Sequence, residues 1–291
     1  SQHIFHNAEH PYTQKLLSAI PADSKQPMEG ETEPLIQVRK LCTWFEQGKN
    51  KEPVKAVNDV SFDINRGEVL GLVGESGSGK STIAKMAVGL LAPSAGTITL
   101  DNHNLNDRNL SPQSQQSMRR RIQMVFQSPY ASLNPRWRVG DILAEPIQSF
   151  DLIQGAKNQA KRVDELLEQV GLSPSDAKKY PHEFSGGQRQ RISIARALSS
   201  QPEVIICDEP TSALDVSVQA QVLNLLKSLQ KEFSLTYLFI THDLAVVSSV
   251  ANRIGVLNKG ALVEEASPKE LFTNPKQDYT RMLLNAAPKM L

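Results

Sequence analysis

The residues best suited to chemistry form one glycine-rich stretch, GESGSGKST, from Gly74 to Thr82. An apolar run rich in Val and Leu precedes this stretch, and a helical pattern follows it. A strand, a glycine loop and a helix in this order are typical of a phosphate-binding loop, because curled backbone N–H groups and the positive end of the helix converge on an anion. We expect Lys80 to reach the β- and γ-phosphates of a nucleotide and Ser81 to bind Mg²⁺. The alternative is a glycine-rich turn that only begins a helix.

Two carboxylates end another predicted strand, the apolar run from Glu203 to Glu209. An acidic residue at the end of a strand beside a phosphate loop holds Mg²⁺, directly or through water, and we assign this role to Asp208. Glu209 is placed to orient or deprotonate an attacking water. The strand Thr236–Ile240 ends just before His242, at the sheet edge where ligands bind, although His242 taken alone would be assigned a structural role.

Two further features each allow two interpretations. FSGGQRQR, from Phe184 to Arg191, begins another predicted helix, and a serine and two glycines there form a second anion site or a plain helix cap. One domain rarely needs two such sites for a single phosphate chain. Trp44 and Phe45 lie between the first two predicted strands, where an aromatic residue either stacks on adenine or packs in the core.

The composition limits the classes of function. A length of 291 residues fits one large domain or two modest ones. The formal net charge of +1 argues against electrostatic binding of nucleic acid as the main activity. Cys42 and Cys207 form neither a metal-binding spacing nor a disulfide framework, which fits a reducing compartment. No apolar run approaches the roughly 20 residues that span a bilayer, so a membrane role would be that of a peripheral subunit.

Strands and helices alternate along most of the chain, which predicts an α/β fold. From Ser128 to about Tyr180 the pattern is helical, and it predicts an inserted helical subdomain. Residues 22–34 are rich in Pro, Glu, Ser, Asp and Gly, which predicts a linker. The charge run Arg119–Arg121 predicts a solvated helix end.

The two ends of the chain are similar to each other. Residues 4–21 and 271–288 align without gaps, and Phe, Asn, Tyr, Thr, two Leu, Ala and Pro recur in register. This repeat predicts the second half of a fused tandem protein, cut inside its first half, with residues 1–21 as the tail of a preceding domain. Two similar amphipathic helices that arose by coincidence are the alternative.

Taken together, these residues resemble the nucleotide-binding subunit of an ATP-binding-cassette (ABC) transporter. Its motifs appear in the order of that family: GESGSGKST, the glutamine loop VFQSP, the signature FSGGQRQR, the strand VIICDEP, the D-loop SALD and the switch histidine in ITHD. The signature separates this family from other phosphate-loop NTPases. ASLNPRW and the HPYT and DYT tails are similar to the oligopeptide/dipeptide importer group, and the repeated tail is similar to fused Yej-type importer ATPases.

The resemblance implies an α/β phosphate-loop NTPase of the ABC ATPase fold, with an antiparallel β subdomain and an inserted α-helical subdomain at about 128–183. It implies a nucleotide-binding domain at 35–268 and a C-terminal extension of the oligopeptide-transporter type at 269–291.

The resemblance also implies roles for the motif residues. Gln127 would sense the γ-phosphate and metal, Glu209 would act as base or position the water, and His242 would clamp the γ-phosphate. Phe45 falls in the adenine-stacking register, with its neighbour Trp44 as the alternative. The catalytic set is Lys80, Gln127, Glu209 and His242, and the metal set is Ser81, Gln127 and Asp208. The ATP-binding set is Phe45, Gly74, Glu75, Ser76, Gly77, Ser78, Gly79, Lys80, Ser81 and Thr82, with Ser185, Gly186, Gly187 and Gln188 serving the ATP of another subunit.

On this resemblance the chain would hydrolyse ATP to power import of peptides or similar small solutes. Two such domains would close head-to-tail around two ATP molecules, the second being a fused N-terminal half or another copy. Transmembrane permease subunits and, indirectly, a periplasmic or extracellular solute-binding protein would be the other partners. The chain would lie peripherally on the cytoplasmic face of the inner membrane and would bind no nucleic acid.

Two alternatives come from other classes. A cassette ATPase that acts on DNA or ribosomes would carry long coiled-coil inserts, zinc cysteines or basic linkers, and the sequence shows none of these features. A module that binds ATP without turnover is opposed by the intact Asp208, Glu209 and His242.

Overall fold

A computed structural model of the chain describes residues 34–46, 52–107 and 109–286. The predicted first tail and all but the last residue of the predicted linker lie outside the described residues. The strands are β1 (Pro34–Phe45), β2 (Val54–Asn65), β3 (Val69–Val73), β4 (Ala95–Leu100), β5 (His103–Asn104), β6 (Ile122–Val125), β7 (Val204–Asp208), β8 (Thr236–Ile240), β9 (Arg253–Asn258) and β10 (Ala261–Ala266). The helices are α1 (Lys80–Ala87), α2 (Pro112–Arg121), α3 (Pro129–Ser132), α4 (Val139–Ser149), α5 (Ala156–Gln169), α6 (Gly186–Ser199), α7 (Val216–Phe233), α8 (Leu244–Val250), α9 (Pro268–Thr273) and α10 (Asp278–Ala286), with 3₁₀ turns at Pro174–Lys178 and Pro181–Glu183.

Six strands form a largely parallel sheet in the order β10-β9-β3-β8-β7-β6. Only the edge strand β10 runs antiparallel to its neighbour. Strands β3, β7 and β8 are buried along their whole length, which explains why their sequences are unbroken apolar runs. The loops that follow β3, β6, β7 and β8 leave the sheet at the same edge, so the motifs in these loops meet there.

Four strands form a separate antiparallel sheet in the order β2-β1-β4-β5. Its apolar face shares one core with α1 and with one face of the parallel sheet, including Leu70 and Leu72 of β3. The alternate residues Val69 and Val73 face a second core, which the helices cover. The parallel sheet therefore lies between an antiparallel β layer and a helical layer.

The region between β6 and β7 contains α3, α4 and α5, the 3₁₀ turns and α6. The four apolar residues at helical spacing in its sequence are buried: Val163, Leu166, Leu167 and Val170. The limits of this region as a subdomain stay a prediction. None of the helices in the described part of the chain combines the length and apolar character that crossing a membrane requires.

Two local predictions are wrong. The sequence from Ile83 to Leu91 predicts a helix after the phosphate loop, but the helix ends at Ala87, because Gly89 adopts a φ of 73° that breaks it. Arg121 is not part of a solvated helix end, since its side chain is only 16% exposed and bonds to Asp101 and Glu203. Both contacts join residues distant in sequence, so the local charge run did not indicate them.

Candidate active site

The phosphate loop connects β3 to α1, and its glycines shape it. Gly74, Gly77 and Gly79 have φ angles of 152°, 81° and 107°, which other residues rarely adopt. A Cβ on Gly74 would lie 2.1 Å from the carbonyl O of Leu257, and one on Gly79 would lie 2.3 Å from that of Ala56. The loop is therefore packed against β2 and β9 in a way that only glycine permits.

Lys80 begins α1, and its ammonium group lies inside the curl of the loop. Its Nζ donates to the carbonyl O of Gly74 and of Glu75, each at 2.8 Å, and to Oγ of Ser78 at 3.3 Å. Burial lowers the pKa of Lys80, although the charges of Glu209 and Asp208 oppose that shift. A cation surrounded by curled backbone is suited to neutralise a phosphate.

Ser81 and Asp208 meet across the loop and the end of β7. Ser81 Oγ donates to Asp208 Oδ1 at 2.9 Å. Burial raises the pKa of the Asp208 carboxyl, and the hydrogen bond from Ser81 opposes the shift. Hydroxyl and carboxylate oxygens are ligands that Mg²⁺ prefers, so this pair fits the predicted metal site.

Glu209 follows β7, and its carboxylate is contacted by residues that follow the strands on either side of β7, which are β6 and β8. Gln127 Nε2 donates to Glu209 Oε2 at 2.8 Å, and His242 Nδ1 lies 3.1 Å from Glu209 Oε1. Glu209 has a φ of 47°, which is uncommon for a residue other than glycine, and its N–H donates to the carbonyl O of Ile240 at 2.9 Å. The left-handed turn after β7 thus holds the carboxylate between the ends of β6 and β8.

A cavity of about 700 Å³ lies between the phosphate loop and the residues at the end of the sheet. Its volume is suited to a small molecule. Gln127, Glu209 and His242 line one part of it, and Ala56 of β2 lines another. The phosphate-loop residues that line it are Glu75, Ser76, Gly77, Gly79, Lys80, Ser81 and Thr82. Gly74 and Ser78, also predicted to bind ATP, are buried within the loop.

The second predicted anion site lies at the start of α6. Ser185 Oγ accepts a hydrogen bond from the N–H of Gln188 at 3.3 Å, and Gln188 Oε1 accepts one from the N–H of Ser185 at 2.9 Å. Gly187 packs against α7, where a Cβ would lie 2.3 Å from Val218 Cγ1. A neighbouring cavity of about 600 Å³ is lined by Gly186, Gln127, Glu209 and His242, among others. Within the described residues, the cavity of the phosphate loop has no signature residue in its lining.

Trp44 and Phe45 both lie at the end of β1 and are 45% and 44% exposed, so neither packs in the core. Thr43 faces α1, because its Oγ1 donates to Met86 Sδ at 2.7 Å. The register of β1 against β2 shifts between Thr43 and Trp44, so alternation from Thr43 does not assign the two rings to faces of the strand. The contact of Phe45, or of its neighbour Trp44, with adenine stays a prediction.

Two contacts to the loop have no counterpart in the sequence-based predictions. The N–H of Glu75 donates to the hydroxyl O of Tyr279 in α10 at 3.3 Å. The N–H of Gly260, in the turn between β9 and β10, donates to the carbonyl O of Ser78 at 3.0 Å. The DYT motif includes Tyr279, but nothing in the sequence joins that motif to the phosphate loop.

The sheet edge therefore carries a phosphate loop after β3, paired carboxylates after β7 and a histidine after β8, all near one cavity. This arrangement defines a nucleotide-hydrolysing enzyme of the phosphate-loop class. The profile of the family described as "ABC transporter" matches residues 57–212. The chain belongs to the ABC transporter family, and it is one of that family's ATP-binding, transport-coupled ATPases.

Two relatives illustrate the similarity. The chain is 52% identical over 257 residues to the oligopeptide transport ATP-binding protein OppF of Bacillus subtilis (strain 168), which covers 88% of this chain and 83% of OppF. It is 45% identical over 318 residues to the glutathione import ATP-binding protein GsiA of Escherichia coli (strain K12), which covers 99% of this chain and 51% of GsiA. The chain thus spans about half the length of GsiA.

Solved structures confirm the predicted fold class. CbiO1 from Clostridium perfringens, part of the ABC transporter complex cbiONQ, has a TM-score of 0.71 at 29% identity and covers 83% of this chain and 92% of its own. The ATP-binding cassette MJ0796, solved as a dimer bound to ADP and Pi, has a TM-score of 0.71 at 31% identity and covers 80% of this chain and 98% of its own.

A second family profile, described as "Oligopeptide/dipeptide transporter, C-terminal region", matches residues 1–47 and 263–291. These segments contain the two stretches that repeat each other in the sequence. The match confirms the similarity to the oligopeptide/dipeptide group, whereas the fused tandem stays a prediction.

Proposed function

We propose that this chain hydrolyses ATP to power the import of peptides or similar small solutes through a membrane permease. One observation carries the proposal: Gln127 and His242 both contact the Glu209 carboxylate at the cavity of the phosphate loop. A carboxylate so placed can accept the proton of a water that attacks the γ-phosphate. The oligopeptide and glutathione relatives support a peptide as the transported solute.

In this proposal the other motif residues bind and neutralise the substrate. Lys80 leaves its acceptors in the loop and meets the β- and γ-phosphates. Ser81, Asp208 and Gln127 hold Mg²⁺, which when bound neutralises phosphate charge. Phe45 stacks on adenine, and His242 contacts the γ-phosphate.

The signature residues Ser185, Gly186, Gly187 and Gln188 serve the ATP of a second cassette. The dimer of the similar cassette MJ0796 supports that role. The second cassette is another copy of this chain or a fused half. ATP adds contacts in the closed pair that ADP lacks, so hydrolysis reopens the pair.

A groove beside the glutamine loop is the surface we assign to the permease. It has a volume of about 200 Å³, and its lining includes Leu90, Arg119, Phe126 and Arg196. Leu90 is 64% exposed, an unusual position for a leucine. Phe126 precedes Gln127, so movement at the γ-phosphate reaches this groove. The chain would act peripherally at the cytoplasmic face of the membrane, with a solute-binding protein as an indirect partner.

Glu209→Gln tests the proposal directly. We expect kcat for ATP hydrolysis to fall about 10²- to 10⁴-fold, because the variant lacks the carboxylate that accepts the proton. ATP binding should persist, since the phosphate-loop contacts are unchanged. Glu232→Gln, at an exposed position of α7, makes the same change of charge and should leave hydrolysis unaffected.

The transport step is measured as ATP-dependent uptake of a labelled peptide into vesicles that contain the permease and this chain. Wild-type protein and Glu232→Gln should drive uptake, and Glu209→Gln should not. Hydrolysis at the wild-type rate in Glu209→Gln would contradict the assigned base. Rapid hydrolysis without uptake of any peptide would contradict the assigned solute.

A further inference from the structure

A contact between the C-terminal helix and the phosphate loop has no part in the function proposed above. The hydroxyl O of Tyr279, in the first turn of α10, accepts a hydrogen bond from the backbone N–H of Glu75 at 3.3 Å. Tyr279 is half-buried and packs against the core on the helical side of the parallel sheet. The packing of the ring therefore holds the hydroxyl at the loop.

The peptide group that Tyr279 contacts also holds Lys80. The N–H of Glu75 and the carbonyl of Gly74 belong to one planar peptide group, and that carbonyl accepts a hydrogen bond from Lys80 Nζ at 2.8 Å. Lys80 therefore bonds one side of the group and Tyr279 bonds the other. A glycine at this position gives the backbone freedom to rotate, so these two hydrogen bonds set the orientation of the group.

Glu264 fixes α10 to the sheet. It lies in β10, is 9% exposed, and accepts hydrogen bonds from the N–H groups of Lys276 at 2.7 Å and Gln277 at 3.0 Å. These donors immediately precede α10, where a helix otherwise leaves N–H groups without acceptors. Burial opposes the charge of Glu264, yet these hydrogen bonds hold the pKa of its carboxyl below the usual range.

The hairpin that carries Glu264 supports the loop as well. Gly260, in the turn between β9 and β10, donates its N–H to the carbonyl O of Ser78 at 3.0 Å. The loop is thus contacted at Ser78 by the hairpin and at Glu75 by α10. Glu264 joins the hairpin to the helix, so the three elements form one support for the phosphate loop.

We propose that Tyr279 is a positioning residue for nucleotide binding: its hydroxyl orients the Gly74–Glu75 peptide group and prepares the loop for phosphate. The inference rests on the proposed use of this loop as the ATP site. The C-terminal extension then contributes to nucleotide affinity without touching the nucleotide. ATP and ADP both place phosphates in the loop, so loss of the contact weakens both, while proton transfer at Glu209 is unaffected.

Tyr279→Phe removes the hydroxyl and keeps the ring. The Kd values of ATP and of ADP, measured by calorimetry, should each rise about three- to tenfold, the effect of one ordinary hydrogen bond. The KM for ATP should rise by the same factor while kcat stays unchanged, which separates positioning from chemistry. Met282→Ala, at an exposed position of the same helix, is the matched control and should leave each of these values unchanged.

Glu264→Ala releases α10 and should raise both Kd values by a similar factor, with no further rise in the double variant Tyr279→Phe/Glu264→Ala. If Glu264→Ala does not fold, Tyr279→Phe alone decides. Equal Kd values for Tyr279→Phe and wild type would overturn the inference, and so would a loss confined to kcat. If the wild type itself bound no ATP, the assignment of the phosphate loop would fail instead.

Discussion

Every proton of the Lys80 ammonium group has an acceptor inside the phosphate loop. Gly74, Glu75 and Ser78 supply these acceptors. Binding of a phosphate is therefore an exchange of hydrogen bonds, and its free energy depends on how firmly the loop holds its own shape. This makes the contacts that orient the loop as relevant to affinity as the lysine itself.

The predicted adenine contact of Phe45 can be distinguished from one by its neighbour Trp44. Phe45→Ala should raise the KM for ATP, because stacking of a base on an aromatic ring contributes about 1–3 kcal/mol, or roughly 5- to 150-fold in affinity. Trp44→Ala is the matched control, because Trp44 is the neighbouring aromatic residue at the end of β1 and is equally exposed. Steady-state hydrolysis over a range of ATP concentrations gives both values.

A rise in KM for Trp44→Ala together with an unchanged KM for Phe45→Ala would reverse this assignment. Two equal and small effects would remove β1 from the adenine site altogether.

At the scale of single residues, sequence motifs identify most of the groups at the sheet edge. These groups belong to short sequence patterns, and the chemistry of phosphate, metal and water binding explains the residue type at each position. They are Lys80, Ser81, Asp208, Glu209 and His242. Tyr279 is different, because its contact with Glu75 spans 204 positions. A hydrogen bond between a tail and a loop depends on packing that no local pattern records.

At the scale of elements, the buried parallel strands are the easiest to predict. The sequence predicts a strand at Thr236–Ile240 and a helix from about Val216 to Phe233, and both elements have these bounds in the structure. An apolar run and a long amphipathic pattern are strong local signals. The end of β1 was harder to predict. This strand continues to Phe45 because it pairs with β2 there, with Phe45 opposite Val54.

Arg121, at the end of α2, ties the two sheets together. Its guanidinium bonds to Asp101, which follows β4 of the antiparallel sheet, and to Glu203, which precedes β7 of the parallel sheet. Arg66 reaches the same two carboxylates from the turn before β3. The hydrogen bond from Arg121 is the main reason why the pKa of Glu203 is lowered, with burial opposing the shift.

Arg121→Met should lower the free energy of unfolding at pH 7 by about 1–2 kcal/mol, as expected for charge-assisted hydrogen bonds that are partly open to solvent. Because the pKa of Glu203 is lower in the folded state, its stabilisation is complete above the unfolded pKa and is lost as the pH falls through the folded value. The difference between variant and wild type should therefore shrink in acid. Urea unfolding at pH 7 and near pH 4 measures both quantities.

Arg119→Met, at an exposed position of the same helix, is the control and should change stability little at either pH. A deficit in Arg121→Met that stays constant from pH 7 to pH 4 would show that the side chain stabilises by packing rather than by charge.

At the scale of the whole molecule, the proposed function divides the site into two half-sites. One consists of the phosphate loop, Asp208, Glu209 and His242, and the other is the capped start of α6 at Ser185. The sequence motifs predict both halves, but they cannot predict which partner completes them. The partner surface belongs to another cassette, so no pattern in the sequence of this chain describes it.

The structure gives the C-terminal extension a different place in the domain organisation from the one that the sequence predicts. By sequence, residues 269–291 would be an appendage to the nucleotide-binding domain. In the structure, α10 packs on the core, is held by Glu264 and contacts the phosphate loop. We therefore treat the extension as part of the nucleotide site, and its removal should weaken ATP binding.

The most direct test of this account is the distance from Ser185 Oγ to the nearest γ-phosphate in the ATP-loaded Glu209→Gln variant, closed on its partner cassette. We predict a hydrogen-bonding distance of about 3 Å to the ATP that the other cassette binds, whether the lysine against its phosphates is Lys80 of a second copy or the matching lysine of a fused half. If Ser185 instead pointed into solvent, or approached the ATP bound by Lys80 of its own chain, the two half-sites would not be complementary and the account would be contradicted.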